Sequence, residues 1–463
     1  MTRSRAPVTP PVVLTIAGSD SGGGAGIQAD VKTIEAGGAF ATSAITSVTA
    51  QNTLGVQSTH VLPLDEIGAQ CEAVRDDFDV DAVKTGMLAT ADVVELVIEQ
   101  VAAIDAPVVI DPVMVAATGD RLLDEEAVAA YEALVGEATL VSPNADEAEV
   151  LTDVAVVDRT SAEEAGKRLV EMGADAALVK GGHLDTDDVL DTLVTSERVE
   201  TVRHPRVDTD ATHGSGCTLA SAIATRLAFG DDLSQAVSSG VELLGRAVRY
   251  GVDVGEGPGA VHHLVAIRDR AARDDTAEVV HRAVRELLVA DVRPLVPEGG
   301  MTVVGATPYA ESIRECAAVD GRIVRTLDGV DQGRGVRFGT SNTVAAFLLA
   351  CREYDADYRF ALTLQFDDRV EHAMEALDWQ VATISRADAG ITEGDASAHV
   401  DRFPQWDVSS VFGSDGDAPL APVLGSAESS SLAFLAVRSC PTLIDRTVAL
   451  GEALDERTKT FDG

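Results

Sequence analysis

Residues 211–228, "ATHGSGCTLASAIATRLA", run a Gly-x-Gly turn into a stretch of small, helix-compatible residues. Such a turn aims backbone N–H groups at an anion, here those of Gly214, Ser215, Gly216 and Cys217, and the helix dipole reinforces them. This is the arrangement that stabilises charge on a phosphoryl group in transfer. Cys217 has two readings. One cysteine in a helix is ordinarily a small packing residue, but a helix N-terminus can lower a thiol pKa by ~1–5 units and make it reactive.

Four other segments carry residues of the same kind of chemistry. In "DPVM" (111–114) Asp111 ends an apolar run, where an unpaired carboxylate is costly unless a helix terminus or a metal satisfies it. "SPNADEAE" (142–149) sets Asn144 and Glu147 three apart in a first helical turn. That spacing serves as a plain cap, and it equally suits a magnesium ion that keeps its waters. "KGGH" (180–183) contains Lys180, one of only five lysines in a chain that otherwise uses Arg. A surface charge is the ordinary reading; a compact ammonium beside phosphates is the other. The glycine-rich "AGSDSGGGAGIQAD" (17–30) contains Gly24, Gly26 and Ala29 in a G-x-G-x-x-A pattern, but too far from the preceding strand for a dinucleotide fingerprint. No Walker A sequence occurs.

The elements that must hold these residues alternate. Apolar runs at 12–18, 44–50, 82–86, 107–113, 138–144 and 176–182 read as strands, with amphipathic helical patterns between them. Alternation of this kind predicts a mostly parallel sheet with helices on both faces, and ligands at the carboxyl ends of its strands. The polar motifs fall at those ends. A helical pattern with Val280, Val284, Leu287 and Leu288 on one face reads as a connecting or docking helix, assigned as a connector over 267–290. Beyond it, runs at 302–306, 359–366, 380–385 and 409–413 predict a second, smaller α/β domain, with acidic loops at 391–399 and 413–422. The domains expected are therefore 1–266, a connector at 267–290, and 291–463.

Composition narrows the setting. Acidic residues number 76 against 36 basic ones, a formal net charge of -40. The acids are spread through periodic sequence, so the expectation is a surface adapted to a high-salt cytosol, where screening limits self-repulsion. The same charge repels nucleic acid. No apolar run approaches the ~20 residues of a membrane span, and the run at 12–18 is short for a signal peptide, so a cytoplasmic enzyme is expected. The five cysteines are dispersed without metal-site spacing and read as reduced thiols.

Taken in order, "TIAGSDSGGGAGIQAD", "TSVTAQNTLGV", "KTGML", "DPVM", "SPNADEAE", "VKGGH", "THGSGCTL" and "GPGAVHH" resemble the hydroxymethylpyrimidine/phosphomethylpyrimidine kinases of thiamin biosynthesis, within the ribokinase-like superfamily. The resemblance covers about residues 10–265. It implies two successive ATP- and Mg2+-dependent phosphorylations, of 4-amino-5-hydroxymethyl-2-methylpyrimidine and then of its monophosphate, and a homodimer. It also implies that Asp30 and Gln51 hydrogen-bond the aminopyrimidine and that Gly18, Met87 and Val113 line the ring pocket. Asn144 and Lys180 fall on the nucleotide side, with Asp111 and Glu147 toward magnesium. Gly214, Ser215, Gly216 and Cys217 form the anion hole, with the thiol at the position of the superfamily's usual base. Pyridoxal or pyridoxine kinase, of the same fold, is the rival. Residues 290–463 resemble an archaeal-type thiamin phosphate synthase domain. In that pattern Thr343 stands where a His belongs and Ala346 where an Arg belongs, so the expectation is a domain that binds thiamin-pathway phosphates without efficient synthesis; an active synthase is the alternative.

Overall fold

The computed structural model describes residues 6–114, 127–182, 184, 188–290, 292–327, 329–341, 343–379, 381–386, 406–408, 412, 423–427 and 432–461. The chain divides into two compact units, Met1–Ala266 and Ile267–Gly463.

The first unit contains strands β1 (Val12–Ser19), β2 (Phe40–Asn52), β3 (Gly55–Val61), β4 (Val80–Thr85), β5 (Val108–Ile110), β6 (Leu140–Val141), β7 (Ala176–Val179), β8 (Asp188–Thr195) and β9 (Val199–Pro205). They form one sheet in the order β3-β2-β1-β4-β5-β6-β7-β8-β9. The six strands from β2 to β7 are parallel, and β3, β8 and β9 extend the two edges antiparallel. Its helices are α1 (Gly26–Gly37), α2 (Leu64–Asp77), α3 (Ala91–Ala102), α4 (Val128–Val135), α5 (Ala145–Thr152), α6 (Arg159–Glu171), α7 (Ser215–Ala228) and α8 (Leu233–Arg249).

The central strands are mostly apolar because both faces are covered, with Thr15 of β1 and Lys84 and Thr85 of β4 as buried exceptions. Along β1, Leu14 and Ile16 join a core with Ile67, Val93, Val97 and Tyr131 of α2, α3 and α4. Val13 points the other way, into a core with Ile34 of α1, Leu219 and Ile223 of α7, and Val237 of α8. Chain direction reverses beside β1: α1 carries the chain to β2 on one side, whereas β4 pairs with β1 on the other. The crevice at the carboxyl ends of β1 and β4 is therefore the switch point where such sheets bind ligands.

The second unit holds α9 (Val265–Ala271), which begins at the boundary, and α10 (Arg273–Val289), α11 (Thr343–Tyr354), α12 (Asp368–Ala376) and α13 (Cys440–Phe461). Its strands are β10 (Val303–Ala306), β11 (Cys316–Val319), β12 (Ile323–Arg325), β13 (Val330–Gln332), β14 (Val336–Phe338), β15 (Phe360–Gln365), β16 (Ala382–Arg386), β17 (Trp406–Asp407), β18 (Val423–Ala427) and β19 (Leu432–Val437). Eight of them form a sheet in the order β14-β11-β10-β15-β19-β18-β16-β17, with β12 and β13 as a separate hairpin. Pairing is antiparallel except between β16 and β18. Alternate residues feed two cores: Val303, Leu362 and Leu435 face one side, and Val304, Ala361 and Phe434 the other. The expected strand at 409–413 and the acidic loops at 391–399 and 413–422 lie outside the described residues, apart from Phe412, which is buried.

The connector expected at 267–290 is corrected by this packing. Val280, Ala283, Val284 and Leu287 of α10 are fully buried against Val303, Leu362 and Leu435, so the helix is a core element of the second unit. Its apolar stripe faces a sheet. Leu287→Ala should accordingly cost about 2–5 kcal/mol of stability, read in a denaturant titration of the full chain; an unchanged midpoint would return the helix to the role of connector.

Candidate active site

The residues following β1, β4, β5, β6 and β7 open onto one cleft of about 470 Å3, walled on its far side by the start of α7 and part of α8. Twelve of the thirteen residues singled out by sequence line it: Gly18, Gln51, Met87 and Val113 toward the switch point, then Asp111, Asn144, Glu147 and Lys180, and the turn Gly214, Ser215, Gly216 and Cys217.

The turn is shaped by its glycines. Gly214 caps α7 in the left-handed region (φ 81°), and a side-chain carbon there would lie 1.8 Å from the carbonyl oxygen of Gly24. One expected donor is spent: the Ser215 N–H donates to Thr212 O at 3.1 Å. Gly216 and Cys217 lie in the first turn, where amides have no intrahelical acceptor and remain for an anion. A carbon at Gly216 would sit 3.1 Å from Asp111 Oδ2 and 3.4 Å from Lys180 Nζ, so the turn and these charges share one space.

Lys180 Nζ lies 3.1 Å from Asp111 Oδ1 and 3.8 Å from Glu147 Oε2, with both acids almost wholly buried. Burial works against the ammonium, but Asp111 and Glu147 outweigh it and raise its pKa. Burial pushes Glu147 up to about 7, with Lys180 opposing and Asp111 adding to the rise. Asn144 and Glu147 form a capping box: Glu147 N–H donates to Asn144 Oδ1 at 2.9 Å, and Asn144 N–H to Glu147 Oε2 at 2.8 Å. The cap is thus real. It leaves carboxylate lone pairs unused, since each carboxylate can accept about four hydrogen bonds or metal contacts. Among the described residues no group of three His, Cys, Asp or Glu side chains stands together as a metal cage. Two carboxylates, Asp111 and Glu147, fit an ion that retains waters and arrives with phosphate oxygens.

The glycine loop is organised by Asp20. Its Oδ1 accepts from Gly22 N–H at 2.7 Å, and its Oδ2 from the N–H groups of Gly24 and Ala25, each at 2.8 Å. His213 Nε2 is 3.1 Å from the same Oδ2, tying the loop to the anion turn. Burial raises the Asp20 pKa, but the bonds from His213, Ala25 and Gly22 win and lower it. His263 Nε2 also contacts Gly24 O at 3.1 Å, and burial with the nearby Lys32 charge lowers its pKa to about 4.

Two expectations change. Asp30 does not line the cleft. It is wholly buried, with Lys84 Nζ 2.9 Å from both of its oxygens, Thr15 Oγ1 donating at 2.7 Å and Ser221 Oγ at 2.8 Å. Its hydrogen-bonding capacity goes to these partners, not to a ring. For Cys217, burial weighs against the reactive reading. Burial pushes its thiol up to about 12; Lys84 pulls the other way, while Asp30 and Asp111 add to the rise. Desolvation outweighs the pull of Lys84. Sequence reasoning missed Lys84, Asp20 and His213. A lysine inside the apolar run "DAVKTG" was the available signal for Lys84, because a buried ammonium demands a carboxylate partner.

A parallel sheet with a glycine-capped anion turn, a lysine and two carboxylates at its switch point is the framework of a small-molecule phosphotransferase. Residues 20–262 match phosphomethylpyrimidine kinase and residues 279–424 match thiamine-phosphate synthase ThiN. The chain belongs to the phosphomethylpyrimidine kinase family, with the synthase-type domain fused behind the kinase. It is 47% identical to the hydroxymethylpyrimidine/phosphomethylpyrimidine kinase of Streptomyces coelicolor over 264 residues, 57% of this chain and 98% of that one. Identity to the Haemophilus influenzae enzyme of the same description is 45% over 259 residues, 54% of this chain and 96% of that one. An ADP complex of Bacillus subtilis pyridoxal kinase superposes with a TM-score of 0.52 at 32% identity, over 56% of this chain and 99% of that one. The fold is ribokinase-like, and the enzyme activity is that of a hydroxymethylpyrimidine/phosphomethylpyrimidine kinase in thiamin biosynthesis.

Cys217 provides a test of the electrostatics. A thiol with a pKa near 12 holds little thiolate at pH 8, so its alkylation by iodoacetamide should be slow and should keep rising with pH through 10 without a plateau. Peptide mass mapping after timed alkylation measures it. A plateau near pH 7 would mean that the helix terminus had prevailed over burial.

Proposed function

We propose that both phosphorylations take place in this cleft, on 4-amino-5-hydroxymethyl-2-methylpyrimidine and then on its monophosphate, with ATP as donor. The observation that carries the reading is the order of groups along the cleft. Gly18, Gln51, Met87 and Val113 stand at the switch-point end, the anion turn and Lys180 in the middle, and Leu244, Val248, Val207 and Pro205 at the other end. The first end suits a small aminopyrimidine, with the Gln51 amide able to meet ring nitrogen and amine by complementary donors and acceptors. That far end, where these apolar residues stand with Asp191, His204 and Arg206, suits a nucleotide base and its polar edges. Transfer between them passes over Gly216, Cys217 and Lys180.

Positioning and charge stabilisation carry most of the catalysis in this reading, since a loose phosphoryl transition state asks little of a base. Cys217 then serves as a neutral wall of the anion hole, and the hydroxyl proton passes late, as the new P–O bond forms, to an oxygen of the transferred phosphoryl group. Magnesium, when bound with the nucleotide, neutralises phosphate charge; Asp111 and Glu147 would hold it through its waters, with Asn144 fixing Glu147. Full-length protein with ATP should phosphorylate the pyrimidine alcohol with a kcat/KM at least about tenfold above that for pyridoxal, a margin one well-formed hydrogen-bonded contact can supply. Faster turnover of pyridoxal would overturn the substrate assignment.

For the second domain the reading is a binder of thiamin-pathway phosphates, either a sensor or a degenerate synthase. Thr343 begins α11, four residues after Gly339 (φ 73°). Ala346, however, is buried in an apolar cluster with Val304, Phe347 and Phe434, and supplies no cation for a diphosphate leaving group. Incubation of the full chain with the pyrimidine diphosphate and thiazole phosphate should yield no thiamin phosphate by chromatography. Robust formation would establish an active synthase.

A further inference from the structure

The kinase reading leaves one charged pair without a part. Lys84, on β4, is fully enclosed, and its counter-ion Asp30, on α1, is equally so. Burying two ions is costly, and neutral residues of similar shape commonly give a fold of equal or greater stability. Stability therefore does not explain the choice.

The pair is asymmetric with respect to the cleft. Lys84 belongs to the cleft wall, beside Met87 and Cys217, whereas Asp30 stands behind it among Thr15, Ser221 and Lys84. Positive charge is thus presented toward the reacting groups and negative charge is withdrawn. The need for it is visible on the opposite wall. Asp111 and Glu147 stand there with Lys180, so a single ammonium faces two carboxyl groups as well as the phosphoryl group. Lys84 interacts electrostatically with both Cys217 and Asp111, so its field spans the floor of the anion hole. Among the described residues Asp30 is its one hydrogen-bond acceptor, and an ammonium has three donors.

We propose that Lys84 serves phosphoryl transfer through its charge, stabilising the negative charge that gathers on the substrate oxygen and transferred group, with Asp30 acting to hold the ammonium protonated and aimed. This rests on the placement of the reaction in this cleft. Lys180 and Lys84 then flank the anion turn from two sides, and the main-chain N–H groups of Gly216 and Cys217 complete the enclosure.

The experiment removes charge from both partners at once, because Lys84→Met alone would strand a buried carboxylate and risk the fold. In the Asp30→Asn/Lys84→Met double variant of the full chain, the melting temperature should stay close to that of the parent. KM for the pyrimidine should stay within about threefold, while kcat falls about 10- to 100-fold, less than the loss from a direct oxyanion donor. The Asp30→Asn/Lys84→Gln pair, which retains an N–H···O bond, should lose kcat to the same degree and replaces the first if that one does not fold. A folded double variant with kcat within about twofold of the parent would overturn the proposal and leave the pair a packing device. Lys180→Met, measured alongside, separates the two levels. Its inactivity with such an active double variant would sink the role of Lys84 alone; its full activity would sink the placement of the reaction in this cleft.

Discussion

The geometry of the first unit converges on the Asp30 carboxylate. It sits where two central strands and two helices meet: Thr15 comes from β1, Lys84 from β4, Ser221 from α7, and Asp30 itself from α1. Both helices begin at the cleft, α1 at Gly26 and α7 at Ser215. One buried group therefore fixes two helix N-termini against the strand ends between which the ligand crevice opens. Ser221 lies one turn after Cys217 on the same helix face, so the bond to Asp30 also sets the rotation that presents the thiol and the Gly216 and Cys217 amides. A low local dielectric makes such a network strong when complete and costly when a member is missing.

Charge is distributed in the opposite sense from the protein as a whole. A chain with a formal charge of -40 has five lysines and encloses two of them, Lys84 and Lys180, beside its anion turn. Each is paired with carboxylate and each is held protonated by it. The thiol between them stays neutral because burial dominates its balance. Its neutrality matters in its own right: a carboxylate at that place would join the Asp111 and Glu147 carboxyls already beside Lys180, whereas a thiol occupies the space without doing so.

Much of this was legible in the sequence where burial is symmetric. The strands β1, β5, β6 and β7 are apolar at nearly every position and stand out as runs, whereas β4 is broken by Asp81 and Lys84; the motifs after them fell into the cleft as their positions implied. The edge strands were invisible for the converse reason. β3 (GVQSTHV) and β9 (VETVRHP) are largely solvated and mix polar with apolar residues, leaving no pattern to read. Asp30 was assigned to the ring because a motif gives a neighbourhood but not a facing direction. The helix period held the correction: Ile27, Asp30 and Ile34 share one stripe, and that stripe is buried. The apolar face of α10 was read correctly as a face and wrongly as a connector, since periodicity reveals that a helix packs but not against what.

The second unit sharpens what makes the first one competent. Gly214 caps α7 directly with positive φ, and Gly339, also of positive φ, stands four residues before α11 begins at Thr343. A turn of the first form supplies directed N–H groups, which suffice to bind an anion. Turning binding into transfer asks for stabilisation that grows as charge develops, and in the first unit cations stand ready for it on both sides of the turn. On α11 the fourth helical residue, Ala346, points into an apolar core with Phe347 and Phe434 beside it. A cation there would need a buried partner of its own, and the neighbouring cluster is wholly apolar. A positive-φ glycine thus precedes a helix in both units at different spacings, and it is the side chains nearby that divide the proposed catalyst from the proposed binder.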